Sequence, residues 1–230
     1  MPYSVGVGWA IKKGGLKLKT LIAVPCHDMI HTAFVRSLQE MDKPGKVSIG
    51  YIQGTLIYEA RNIIAQNAIE DGFDRVLWLD SDMLMPKDTF KRLSAHLDNG
   101  LDMVSGLYFG RRNRCNPMIL DKLDWRADQD GNVAVDSTSY LDYPENALFE
   151  IAGCGFGCVM TTVDILKQAV DKFGVPFTPM MGMGEDVSFC WRVRQMGYKI
   201  YCDSKLMLGH VGQYVYDESD YLTRKGRENG

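Results

Sequence analysis

Read along its length, the chain alternates short apolar runs with segments whose apolar residues recur every three or four positions. From Leu18 to Pro25 the run KTLIAVP is closed by proline and reads as a buried strand of parallel type. Polar Cys26, His27 and Asp28 leave its carboxyl end. A helix is predicted from Ile30 to Met41 and a second short strand from Lys46 to Ile52. In TLIYEARNIIAQNAIEDG, residues Leu56, Ala60, Ile63, Ile64 and Ala68 fall at helical spacing and Gly72 supplies the stop. That register puts Arg61 and Asn62 at the margin of the apolar face.

The clearest element is Arg75-Val-Leu-Trp-Leu79, apolar after its first residue and running straight into Asp80-Ser81-Asp82. Pro86 suits the first turn of a helix reaching about His96, Asn99-Gly100 ends it, and Asp102 to Phe109 forms a fourth strand. Strand and helix alternate with short connections, which predicts an α/β fold: a mostly parallel central sheet flanked by helices on both faces. After Phe109 the pattern changes. The basic stretch Arg111-Arg112-Asn113-Arg114 is followed by a polar segment holding the turn signal Asp130-Gly131, read as a hairpin or long loop. The chain then returns to apolar Phe149 to Ala152, passes Gly153-Cys-Gly-Phe-Gly157, and re-enters a helix from about Thr162 to Phe173. A last helix from Asp186 to Met196 is closed by Gly197, and strand-like runs Tyr198 to Cys202 and Lys205 to Leu208 lead to His210. No internal repeat is visible. One domain is expected over 1–216, with a polar, mobile tail over 217–230.

Composition narrows the functional classes. A chain of 230 residues that is 46% hydrophobic can bury one substantial core. A formal net charge of −3 supplies no basic field, so neither nucleic acid nor an anionic membrane surface is an expected partner. No apolar run approaches the roughly 20 residues that span a bilayer, and the order of a signal peptide is missing, so a cytoplasmic protein without a transmembrane segment is expected. Six cysteines lie scattered without CxxC pairs and read as reduced thiols.

An open α/β sheet binds ligands beyond the carboxyl ends of its strands, where His27, Asp28, Asp80 and Asp82 all emerge. Two carboxylates one residue apart at a strand end can hold a hard divalent cation that bridges a diphosphate; the same acids also occur in ordinary acidic turns. Two further motifs keep this pair company. GEDVSFCWRVRQMGY opens a helix with acids, and LMLGH ends a strand in histidine.

Together, RVLWLDSDMLMP, GEDVSFCWRVRQMGY and LMLGH resemble the GT-A glycosyltransferases, in particular glycosyltransferase family 2, over roughly Lys19 to Gly212. The region around Trp125 to Pro144 has no counterpart in that pattern. The resemblance implies a GT-A type single domain that transfers a sugar from a nucleotide-diphosphate sugar, UDP- or GDP-linked, to an acceptor the sequence does not specify. It implies that Asp80 approaches the ribose or metal, that Asp82 ligates the metal, and that His210 is a second protein ligand. Oxygen donors with one imidazole suit Mn²⁺, with Mg²⁺ as the alternative. Asp186 falls on the family's catalytic base with Glu185 beside it, as inverting transfer requires; both acids would also complement a helix N-terminus. Pro25, His27 and Asp28 fall where the base and ribose are commonly held, Ser81 stands with the acids on the nucleotide side, and Arg61 with Asn62 falls on the nucleotide's other flank. Arg61 and Asn62 also read as solvated helix residues. The Gly153 to Gly157 segment permits close backbone approach to a sugar or acceptor, or forms a tight turn between strand and helix. Absence of a QxxRW motif implies transfer of one sugar at a time.

Other classes fit less well. A haloacid-dehalogenase-like phosphatase also sets two aspartates at a strand end, but wants Thr or Val where Leu84 stands. A nucleotide-sugar pyrophosphorylase or a Rossmann dehydrogenase needs a glycine-rich loop after its first strand, where this chain has Pro25-Cys26-His27-Asp28. A non-catalytic nucleotide-sugar-binding module shares the residues without the turnover.

Overall fold

The computed structural model describes residues 18–111, 115–127, 129–130, 133–180 and 182–212. In chain order its elements are β1 (Lys19–Cys26), α1 (Thr32–Glu40), β2 (Lys46–Gln53), α2 (Ile57–Glu70), β3 (Arg75–Leu79), β4 (Met83–Leu84), α3 (Thr89–Asp98) and β5 (Met103–Leu107). The second half continues with β6 (Ile119–Ala127), β7 (Val133–Ser139), β8 (Leu148–Ile151), β9 (Gly153–Cys154), β10 (Cys158–Thr162), α4 (Val163–Phe173), α5 (Glu185–Gln195), β11 (Ile200–Met207) and β12 (Gly209–His210). The expected tail over 217–230 and the arginines Arg112 and Arg114 lie outside the described residues, as does Gly131 of the expected turn.

Seven strands form the central sheet in the order β2-β1-β3-β10-β5-β11-β8. β2, β1, β3, β5 and β11 run in one direction, while β10 and β8 oppose them. The sheet is therefore mixed, with most strands parallel. Side chains alternate across it as the two-residue period of a strand requires. Leu21, Ala23, Val76 and Trp78 face one layer of core with Ile64, Ala65 and Ala68 of α2, Ile165 and Leu166 of α4, and Phe189 and Val193 of α5. Ile22, Val24, Leu77 and Leu79 face the other, against Phe34 and Leu38 of α1 and Phe90, Leu93 and Leu97 of α3. Both faces are covered, which explains why β1 and β3 read as continuous apolar runs.

Three departures from the sequence reading matter for the site. First, the segment after Gly157 does not lead directly into a helix: Cys158 to Thr162 forms β10, inserted between β3 and β5 and antiparallel to both. Its residues are almost wholly buried, and Thr161 accepts the Trp78 indole hydrogen at 3.0 Å. Second, the two strand-like runs near the carboxyl end are one strand, β11, irregular between Asp203 and Met207. Third, α2 is rotated from the predicted register. Ile63 is exposed and Arg61 is buried, because its charge is satisfied inside the fold. The expected hairpin is present as β6 and β7, paired antiparallel and extended by β9.

Candidate active site

β1, β3, β5 and β11 present their carboxyl ends, and β10 its amino end, along one edge of the sheet. A cavity of about 360 Å³ opens there, lined by residues that include Pro25, His27, Arg61, Asp80, Ser81, Asp82, Glu185, Asp186 and His210. Asp28 and Asn62 do not line it. Asp28 is exposed beside His27, 3.3 Å from its Nδ1. Asn62 is committed elsewhere: its Oδ1 accepts the Phe177 amide at 2.9 Å and anchors the loop ahead of α5.

Asp80 leaves β3 with its amide donating to the Gly157 carbonyl at 3.1 Å, so the inserted strand fixes the start of the acidic turn. The Asp80 Oδ1 accepts Arg61 Nη2 at 2.8 Å, and Arg61 Nη1 donates to Glu185 Oε1. Arg61 is 2% exposed and its guanidinium lies 5.2 Å from the Phe156 ring centre. Burial opposes that positive charge, but Asp80, Glu185 and Asp186 outweigh it, and the guanidinium titrates above its ordinary value. Burial likewise pushes the Asp80 carboxyl up, and Arg61 offsets this only in part. The short contact with a held cation makes the ionised carboxylate the form that fits here.

Asp82 sits in a different setting. Its Oδ2 is 2.8 Å from Arg111 Nη1 and 3.6 Å from His210 Nε2, while its Oδ1 is buried with no hydrogen-bond partner among the described residues. His210 arrives through a small second sheet, in which β12 pairs antiparallel with β4 and His210 stands opposite Met83. Val211 N donates to the Asp82 carbonyl at 2.8 Å and locks that register. The His210 Nδ1 lies 2.8 Å from the Phe109 carbonyl, which only accepts, so Nδ1 carries the hydrogen and Nε2 turns its lone pair toward Asp82 when the ring is neutral. Such a backbone partner orients imidazoles for metal binding.

Glu185 and Asp186 form the first turn of α5, capped by Gly184. Glu185 is drawn to Arg61. Asp186 accepts the Val187 amide through Oδ1 at 2.7 Å and faces the cavity. Carboxylates are favoured at this end of a helix by its exposed N–H groups.

Tyr108, just past the end of β5, is a lining residue the sequence reading did not single out. Its hydroxyl accepts the Gly157 amide at 3.1 Å, its ring stands edge-on to His210 at 5.4 Å, and burial raises its pKa well above the ordinary phenol. A Cβ on Gly157 would stand 2.7 Å from the Tyr108 Cζ, and one on Gly155 would strike its hydroxyl. The close backbone approach expected of this glycine segment is thus made to Tyr108, and the segment joins two strands. The positional rule that picked out Asp80 also covers Tyr108, since both follow the carboxyl end of a sheet strand. Arg111, the first residue of the basic stretch after Phe109, pairs with Asp82.

The donor set bears on metal binding. Among the described residues, no group of three or more His, Cys, Asp and Glu is arranged to hold an ion. What is present is one carboxylate oxygen with no partner and one oriented imidazole nitrogen beside the same carboxylate. Divalent ions of the Mg²⁺ and Mn²⁺ type commonly take one or two protein carboxylates and complete their shell with phosphate oxygens and water. Asp82 and His210 fit that partial set.

The structure is a mixed α/β sheet with helices on both faces and acids at the end of a central strand. No protein-family model matches the chain, and no curated protein sequence matches it. Solved structures do. A197 from STIV superposes with a TM-score of 0.55 at 18% identity, covering 87% of this chain and 97% of A197. GalNAc-T7, solved with UDP, GalNAc and Mn²⁺, superposes with a TM-score of 0.56 at 11% identity, covering 86% of this chain and 44% of GalNAc-T7. The chain therefore spans less than half of GalNAc-T7. At these identities the likeness is one of fold. No helix among the described residues is long and apolar enough to cross a membrane.

Proposed function

We propose that the protein is a metal-dependent glycosyltransferase that takes a sugar from a UDP- or GDP-linked donor and delivers it, with inversion, to an acceptor hydroxyl. The observation that carries this reading is the pairing of a buried Asp82 oxygen, without a partner among the described residues, with an oriented His210 nitrogen, in the same cavity as Glu185 and Asp186. A glycosyltransferase-like fold supports it.

Asp82 and His210 would hold Mn²⁺, with Mg²⁺ as the alternative, and Asp80 would stand behind them toward the ribose. A cation held by these residues would supply positive charge against the negative charge that grows on the leaving diphosphate. Pro25 and His27, leaving β1, would flank the nucleoside, with Ser81 between the acids on the same side. Asp28 and Asn62 contribute less directly, through the exposed loop after β1 and through the Phe177 anchor. Asp186 would take the proton of the acceptor hydroxyl as that oxygen attacks the anomeric carbon, and the bond to the diphosphate breaks on the opposite face. Glu185 is engaged with Arg61 and so is less free than Asp186 to meet the acceptor hydroxyl. The reading extends to one domain over 1–216.

Calorimetry with UDP and GDP, in Mn²⁺ and in EDTA, tests the shared-metal arrangement. One nucleotide should bind far more tightly with the cation, and Asp82→Asn should remove that difference while leaving the fold intact. Equal affinity in EDTA would overturn the reading.

A further inference from the structure

Four carboxylates line the cavity in two sequence pairs, Asp80 with Asp82 and Glu185 with Asp186, and one buried side chain touches a member of each pair. Arg61 engages the first acid of both. The second acids are left differently: Asp82 meets a half-exposed arginine and a histidine, and Asp186, among the described residues, accepts the backbone amide beside it. A guanidinium suits this task because its planar fork offers two donor edges at once, whereas an ammonium is a single point charge on a flexible stem. The fork is also confined. Phe156 lies beside it, Ala60 and Ile64 bury its helix on either side in sequence, and its Nε has no hydrogen-bond partner among the described residues.

We infer that Arg61 is a positioning residue: by fastening Asp80 at the end of β3 to Glu185 at the start of α5, it sets the separation of the donor side from the acceptor side and leaves Asp82 and Asp186 for ligand chemistry. The inference rests on the glycosyltransfer reading for the roles of Asp82 and Asp186, but the fastening is a property of the fold alone. Arg61 acts through the two acids it holds. A misplacement near 1 Å at a reacting centre is enough to cost on the order of 10²-fold in rate, so a loosened link should appear in turnover before it appears in nucleotide binding.

Arg61→Lys is the informative variant, since lysine keeps the charge but satisfies one carboxylate at a time. Its hydrogen exchange at the amides of Val187, Ser188 and Phe189 should be faster than in the parent, because the first turn of α5 has lost its tether. Its kcat for transfer, or for donor hydrolysis, should fall by roughly 10- to 100-fold, with Mn²⁺-dependent nucleotide affinity and KM within about threefold of the parent. Arg61→Lys/Glu185→Gln likewise lacks the link to α5, so its kcat should stay near that of Arg61→Lys. Unchanged exchange in α5, parental kcat in Arg61→Lys, or equal losses of kcat and nucleotide affinity would each overturn the inference. Where Arg61→Lys fails to fold, Glu185→Gln removes one arm alone and should give the same faster exchange; unchanged exchange there overturns the inference too. If the parent protein binds no nucleotide with Mn²⁺, the glycosyltransfer reading fails, and the exchange comparison still decides for or against the tether.

Discussion

Asp80 and Asp82 are separated by one residue, yet they occupy opposite physical regimes. Asp80 is bound to an arginine that is 2% exposed and shared with Glu185; Asp82 is bound to Arg111, whose side chain is 50% exposed, and keeps one buried oxygen without a partner among the described residues. Solvent reaches the Arg111 guanidinium and is shut away from that of Arg61, although the Asp80 carboxylate itself is 33% exposed. One aspartate is therefore part of the framework, and the other holds an exchangeable counterion that a stronger cation can displace. A short acidic motif read as two equivalent ligands is better understood as one fixed post and one open hand.

The contrast can be broken at its strongest point first. Arg61→Met should destabilise the fold by about 3 kcal/mol, the scale of removing one partner from a buried ion pair, which chemical denaturation measures. Next, Asp186→Asn should bind nucleotide and metal about as the parent does, yet lose on the order of 10²-fold in turnover, the scale of general-base catalysis; Glu185→Gln should lose less. His210→Ala should weaken Mn²⁺ binding by roughly 10-fold, within the range by which metal sites respond to loss of a supporting group, read by calorimetry or by competition with a chelating dye. The smallest change is expected at Arg111. Arg111→Gln removes a half-exposed competitor worth about 0.2–1 kcal/mol, so Mn²⁺ should bind up to about fivefold more tightly in the absence of nucleotide. Weaker binding there would mean that Arg111 assists the cation instead of standing in for it.

How far the sequence revealed these features depended on whether the governing contact was local. β3 could be read to its boundaries because five consecutive residues are buried on both faces and the acids follow at once. The layers of helices followed from periodicity in the same way. β10 was hidden because it is short, enters from a glycine-rich segment and passes directly into α4, so no polar stretch separates strand from helix. Arg61 looked marginal because its partners lie at Asp80 and Glu185, and no local pattern announces a charge neutralised from that distance in sequence. Asn62, which the resemblance sets on the nucleotide's flank, holds the Phe177 amide through its side-chain oxygen, a contact 115 residues away in sequence. The approach of His210 to Asp82 depends on the two-residue pairing of β4 with β12, too brief to leave a periodic signature.

The insertion of β10 between β3 and β5 also constrains how the chain reaches its native state. The strand that joins the two halves of the sheet is Cys158–Thr162, so β3 and β5 cannot acquire their shared neighbour until most of the described chain is available. A nascent or truncated chain ending before Cys158 would present two hydrophobic strand edges facing an empty lane, the kind of edge that pairs with other molecules. Closure of the core then waits on long-range pairing, which slows folding relative to a sheet built in sequence order. For expression, the consequence is that shortening this protein from its carboxyl end past Thr162 should yield aggregates and not a smaller folded unit.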